Sequence, residues 1–139
     1  MTKANYLNNP FESLIGTNNL SIPSKTILLE EGKIADRLYL IHKGCLRLFF
    51  YNEGKDITFQ FFFEGDFVAS FDSLYRRKPS LFSLESIEPT EVSTIKRDDF
   101  YHLIEQTPSL KQIYEEKLID RFHVYQQLFL SRIKNTPQQ

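Results

Sequence analysis

Tryptophan is absent from this 139-residue chain, cysteine and methionine occur once each, and only five glycines and six prolines punctuate it. The lone thiol, Cys45, cannot close an intrachain disulfide. Nor can it supply the several thiolates that a zinc or iron–sulfur site built on cysteine requires. Positive charge is not in excess: 17 Lys and Arg stand against 18 Asp and Glu, for a net charge of −1 and a pI near 6.3. A domain that binds nucleic acid on its own relies on such an excess to neutralise phosphates, so direct DNA contact is not expected of this chain. Its longest concentrated basic run is Arg76-Arg77-Lys78, which reads either as a solvated turn or as an anion contact. No run of about 18 apolar residues occurs, so no membrane span is expected. The opening MTKANYLNNPFESL has no apolar core behind a basic start, so no secretory signal is visible, and a reducing cytoplasm fits the cysteine usage.

What the chain does have is 13 Phe and 7 Tyr within a composition that is 41% hydrophobic and 25% charged. Those proportions suit one soluble globular domain, and bulky flat side chains suit a β-rich core. A short helix is expected over Pro10 to Gly16, with Phe11, Leu14 and Ile15 on one face. From Ile22 the texture becomes short β runs divided by Gly, Asn and Asp: TILLEEG, DRLYLIHKG, CLRLFFYNEGK, DITFQFFFEGD and SLFSLESIEPTEVSTIKR. Strands at this spacing make a sandwich or barrel. Leu46, Leu48 and Phe50 alternate with Arg47 and Phe49. In the same way Ile57, Phe59, Phe61 and Phe63 alternate with Thr58, Gln60 and Phe62. The glycine-containing Asn52-Glu53-Gly54-Lys55 between the two runs predicts that they pair as a hairpin.

After Lys96 the period changes. RDDFYHLIEQTP predicts a helix capped at Asp98 or Asp99, with Phe100, Leu103 and Ile104 as its apolar face and Pro108 as its stop. From Ser109 to Lys134, Leu110, Ile113, Tyr114, Leu118, Phe122, Tyr125, Phe129 and Ile133 follow one another mostly by threes and fours. That is one stripe along a helix of roughly 37 Å, widened by Ile119, Val124, Leu128 and Leu130. It either packs back on its own domain or is buried against a second copy, and the second is the expectation, centred on Leu118, Phe122, Tyr125 and Phe129. The terminal SRIKNTPQQ, with Pro137, reads as a hinge.

Two stretches carry a resemblance: EEGKIADRLYLIHKGCLRLFF, and TFQFFFEGDFVASFDSLYRRKPSLFSLESIEPTEVSTIKRDDF. With Gly32 in a turn, Leu38-Tyr39-Leu40-Ile41 leading to Gly44, the Gly65-Asp66-Phe67 turn and Glu91-Val92 leading to a helix at Asp98 to Phe100, the chain is similar to the cyclic-nucleotide-binding domain family. The ordered glycines fit a β roll, whose tight corners need positive φ. The long helix is similar to the dimer helix of the Crp/Fnr branch of transcription regulators. The resemblance implies a mainly β fold with flanking helices (α+β): a double-stranded β-helix, or jelly-roll β roll, followed by a long C-terminal dimerisation helix. It divides the chain into a sensor roll over 1–108 and a dimer helix with the start of a hinge over 109–139. DNA would then be reached only through a helix-turn-helix domain, which this chain does not include.

Family members that bind cyclic nucleotides carry a Gly-Glu pair after the Gly-Asp turn, for the ribose hydroxyl, and about ten residues later an Arg with a small neighbour, for the phosphate. The corresponding positions here hold Ala69-Ser70 and Ser80-Leu81, so both charged anchors are missing. A buried phosphate without a compensating charge is prohibitively costly, and ordinary cyclic AMP sensing is not expected. Arg76 or Arg77 can be considered as a substitute anion contact. The expected ligand is an unknown small-molecule effector in a pocket lined by Val68, Phe71 and Phe82, with Ser70 and Ser80 as polar contacts; core packing of the same aromatics is the competing reading. No cofactor or metal is expected: one cysteine cannot hold a cluster, and His42, His102 and His123 lie in a strand and two helices. A cupin-like enzyme needs a His-x-His pair, which is lacking, and no Gly-x-Ser-x-Gly elbow or base beside Cys45 supports nucleophilic catalysis. The remaining rival is a ligand-free interaction scaffold built on the same roll and helix.

Overall fold

The computed structural model describes residues 18–135, so the short helix expected over Pro10 to Gly16 and the hinge at Pro137 lie outside the described residues. Eight strands appear: β1 Asn19–Ile22, β2 Ile27–Leu29, β3 Arg37–Lys43, β4 Leu46–Asn52, β5 Lys55–Phe62, β6 Phe67–Val68, β7 Ser83–Ser86 and β8 Thr90–Lys96. They form two four-stranded antiparallel sheets, ordered β1-β8-β3-β6 and β2-β7-β4-β5. This is the jelly-roll type of β sandwich. Three helices interrupt or follow it: α1 Phe71–Arg76, α2 Arg97–Gln106 and α3 Pro108–Lys134. The structure divides into two compact units, one ending at Tyr101 and the other starting at His102.

Side chains from both sheets meet in one core, among them Ile22, Tyr39, Ile41, Leu46, Phe62 and Val92. β3 is buried along most of its length on both faces, which explains why RLYLIHK reads as a nearly continuous apolar run. The hairpin expected at 52–55 is present, with Asn52 opposite Lys55 and both turn residues, Glu53 and Gly54, at positive φ, as a two-residue primed turn requires.

β5 pairs with β4 through a bulge. Pairing runs cleanly from Asn52–Lys55 to Phe49–Thr58, then shifts so that Leu48 faces Gln60 and Leu46 faces Phe62, leaving Phe59 as the extra residue of a bulge. A period of two keeps its face only while the register is continuous, and one inserted residue swaps the faces beyond it. Phe62 is therefore fully buried, whereas Phe61 and Phe63 are exposed. On β4 the expected alternation holds: Leu46 and Leu48 point into the core and Phe50 meets Phe82 edge-on. On the opposite face, Arg47 bridges Glu85 and Asp56 and lies 4.0 Å over the Phe49 ring, which keeps Phe49 buried too.

α2 opens at Arg97, so Asp98 and Asp99 fall in its first turn, where they complement the helix dipole, rather than at the cap. Pro108 is the first residue of α3, a position where its missing N–H costs nothing. In α3 Leu110 and Tyr114 are buried, while Phe122 and Phe129 are 61% and 65% exposed and Ile119, Leu130 and Ile133 are exposed as well. Leu118 and Tyr125 are half-buried. Among the described residues no helix is long and apolar enough to cross a membrane.

Candidate effector site

The site starts from the Gly65-Asp66 turn. The Asp66 carboxylate accepts from Phe63 N–H at 2.9 Å, and Gly65 N–H donates to Ile41 O at 2.8 Å, which ties the turn to β3. β6 then pairs briefly with β3, Val68 opposite Tyr39, and delivers Ala69 and Ser70 to the start of α1. α1 lasts six residues because Arg77 closes it in the left-handed conformation, its N–H bonded to Ser73 O. The chain returns through Pro79, bridged to Ile34, and Ser80, whose N–H donates to Lys33 O and whose carbonyl accepts from Gly32 N–H, both at 2.8 Å. Ala35 N–H to Ser73 Oγ and Glu31 N–H to Ser83 Oγ, each 2.9 Å, fasten the 31–35 turn to the same segment.

This folding brings the Ser70 and Ser80 hydroxyls to 2.7 Å from each other, both buried. A neutral hydroxyl pair thus occupies the two positions at which the family resemblance puts a carboxylate and a guanidinium. Beside it opens a cavity of about 230 Å³, counted out to its mouth, whose walls are Leu28, Leu29, Ala35, Ala69 and Leu84 with Ser70 and Tyr39 among them. Its enclosed part takes about one water molecule. At the same lining Arg37 grips the Asp36 carboxylate through Nε at 3.0 Å and a second nitrogen at 3.2 Å. The hydrogen bond from Arg37 holds the Asp36 carboxyl below its usual range, and Asp36 reciprocally raises Arg37. Burial pushes the Tyr39 phenol up.

The other sequence candidates are not gathered at this cavity. Val68 is a core residue, Phe71 stacks edge-on against Phe67, and Phe82 packs on Phe59 and Phe50 with ring centroids 4.9 and 6.1 Å away. Leu81 is 72% exposed. Arg76 is bonded to Asp72 and Arg77 to Asp98, both in surface ion pairs, so neither takes the place of the missing anchor. Sequence reasoning missed the walls from β2, β3 and β7. Tyr39 and Arg37 carry no distinguishing pattern, because both faces of their strand are buried. Among the described residues no group of His, Cys, Asp and Glu is arranged to hold a metal ion.

The chain belongs to the cyclic nucleotide-binding domain family, whose profile matches residues 19–107. Its fold is shared with the catabolite activator protein of Thermus thermophilus, at a TM-score of 0.74 and 23% identity over 90% of this chain and 60% of that one. A transcriptional regulator from Thermotoga maritima gives a TM-score of 0.74 at 12% identity, covering 90% of this chain and 98% of its own. The sensor domain of the transcriptional regulator DNR from Pseudomonas aeruginosa gives 0.65 at 14%, covering 90% and 80%. The chain spans 60% of the length of the Thermus protein. No curated protein matches the sequence significantly.

Proposed function

We infer that this chain is the effector-sensing and dimer-forming half of a Crp/Fnr-type transcription regulator, that it works in the cytoplasm without catalysing a reaction, and that its effector is not a cyclic nucleotide held by charged anchors. The sensing part rests on the neutral Ser70–Ser80 pair. A cyclic phosphate brought against it would exchange water for two hydroxyls already engaged with each other, with no cation to offset desolvation. The dimer part rests on α3. At 100° per residue Leu118, Phe122, Tyr125 and Phe129 fall within an arc of about 60°, the width of a two-helix seam, and its two phenylalanines are open to solvent. DNA recognition belongs to a helix-turn-helix domain outside this chain, with the seam setting the distance between two such domains.

Covering the exposed part of Phe122 removes about 120 Å² per copy, taking about 200 Å² for a Phe, and contributes about 3 kcal/mol at roughly 25 cal/mol per Å². Sedimentation equilibrium at micromolar concentration tests this: the wild type should be a dimer and Phe122→Asp a monomer with an unchanged β circular-dichroism spectrum. A monomeric wild type removes the dimer reading. Micromolar affinity for cyclic AMP or cyclic GMP by calorimetry removes the sensing reading. A roll that acts as a scaffold without ligand is the second reading, and the water-sized enclosed cavity is what favours it.

A further inference from the structure

Arg77 sits in a backbone conformation that an arginine resists. α1 ends there at φ +58° and ψ +41°, the left-handed region in which a helix usually places glycine. A side chain kept at that backbone cost has a use to be sought in its surroundings. The run Arg76-Arg77-Lys78 is exposed but not loose. Arg77 N–H donates to Ser73 O at 2.8 Å, the Ser73 hydroxyl donates to Lys78 O at 2.5 Å, and the next residue, Pro79, is bridged to Ile34. Beside the run stands an aromatic platform. Arg97, the first residue of α2, donates through Nε to Leu74 O at 2.5 Å and through Nη2 to Tyr75 O at 3.0 Å, so its guanidinium binds the last turn of α1. The same guanidinium lies 5.2 Å over the Tyr101 ring, and Tyr101 meets Tyr75 edge-on with centroids 5.9 Å apart. Tyr75 is thus braced while 65% exposed. Leu81, past the other end of the run, is exposed as well. All of these residues lie in the unit that ends at Tyr101.

We propose that this surface, with Tyr75, Arg76, Arg77, Lys78 and Leu81 as its contacts, docks an acidic segment of another protein, one that carries carboxylates beside apolar side chains. Exposed tyrosine and arginine are the residues on which protein interfaces concentrate their binding free energy, and holding them rigid in advance lowers the entropy lost on binding. Over residues 72–78 and 96–99 five cations stand against three carboxylates, in a chain whose net charge is −1, and this local surplus selects an acidic partner. The pairs that Arg76 and Arg77 make with Asp72 and Asp98 are exposed at both partners, and such pairs are weak enough to be exchanged for an incoming carboxylate. A run of phosphates is less well matched, because the carboxylates among the cations repel it and Leu81 offers it no charge. The proposal needs neither an effector in the roll nor a dimer through α3, so it stands or falls apart from the function proposed above.

Three probes test it, each titrated into the isotopically labelled full chain at physiological ionic strength while backbone amide shifts are followed: a Glu-rich peptide carrying Leu and Phe, a polyglutamate peptide of the same length, and a single-stranded oligonucleotide. The mixed peptide should saturate in the micromolar to millimolar range, with the largest shifts at residues 73–81 and 96–101. Arg77→Gly removes the Cβ from the left-handed position, so Tm should hold or rise, yet binding should weaken about tenfold, the equivalent of about 1.4 kcal/mol. Tyr75→Ala should weaken it about as much. Lys55→Glu, on the β4–β5 hairpin, changes the net charge by twice as much as Arg77→Gly and should weaken binding far less. Equal losses in Arg77→Gly and Lys55→Glu overturn the proposal, as does polyglutamate binding as tightly as the mixed peptide, because charge alone would then carry the contact. Tighter binding of the oligonucleotide at the same residues assigns the surface to nucleic acid and overturns it too, and so does the absence of binding by all three probes.

Discussion

Alanine at Gly44 is the substitution this fold should tolerate least for its size. Gly44 turns the chain from β3 to β4 at φ +109°, and a Cβ built there stands 2.5 Å from Thr90 Oγ1, 2.8 Å from Thr90 Cα and 2.9 Å from Pro89 O. Two of those atoms are backbone. The third cannot swing away cheaply, since Thr90 Oγ1 donates to Glu88 O at 2.7 Å and accepts from Cys45 N–H at 3.2 Å. The positive φ costs about 1–2 kcal/mol with a Cβ present. Forcing the neighbours apart costs about 1–3 kcal/mol more. A loss of about 3 kcal/mol should lower Tm by roughly 10 °C in a domain of this size. Gly54→Ala is the control: its φ of +80° is also positive, but nothing lies within 4 Å of the new Cβ, so only the backbone strain remains. Thermal melts by circular dichroism, at one protein concentration because a dimer's Tm depends on it, should show Gly44→Ala falling at least twice as far as Gly54→Ala. Equal shifts would refute the steric argument.

Three further outcomes follow from the site and its surroundings. Ser80→Ala strands the Ser70 proton, Phe82 N–H and Phe82 O in a buried place and should cost about 2–3 kcal/mol in urea unfolding, against about 1 kcal/mol for Ser70→Ala, which breaks one contact. The Asp36 carboxyl has its folded pKa depressed by Arg37, so its stabilisation is present above the ordinary carboxylate pKa and is lost as pH falls through the folded value. The stability gap between wild type and Asp36→Asn should therefore be present at neutral pH and close as pH falls below the ordinary carboxylate range in acid titrations; a gap that widens on acidification contradicts this. Burial, then the nearby Glu88 carboxylate, raises the Cys45 thiol, so alkylation by iodoacetamide at pH 8 should be slow in the native protein and fast in urea, and equal rates would show that the β3–β4 corner opens freely.

Much of the architecture was legible because its signals are local. The 52–55 hairpin rests on two adjacent turn residues, the alternation of Leu46, Leu48 and Phe50 on one strand's pleat, and α3 on a 3.6-residue stripe with Pro108 at its first turn. Which residues of β5 turn inward was not legible, because the bulge at Phe59 arises from pairing with β4 and leaves no mark in β5 alone. α1 and β1, six and four residues long, are too short to show a period.

The candidate site divides along the same line. From the chain alone it follows that no guanidinium and no carboxylate occupy the two family anchor positions, since residue type is written at Ser70 and Ser80 whatever the fold does. That Arg76 and Arg77 are spent on Asp72 and Asp98, that Ser70 and Ser80 meet, and that Tyr39, 31 residues before Ser70, lines the same cavity are matters of tertiary structure. Hydrogen-bond saturation is a property of atoms brought together from distant segments, and only the closed roll determines which of them are left over.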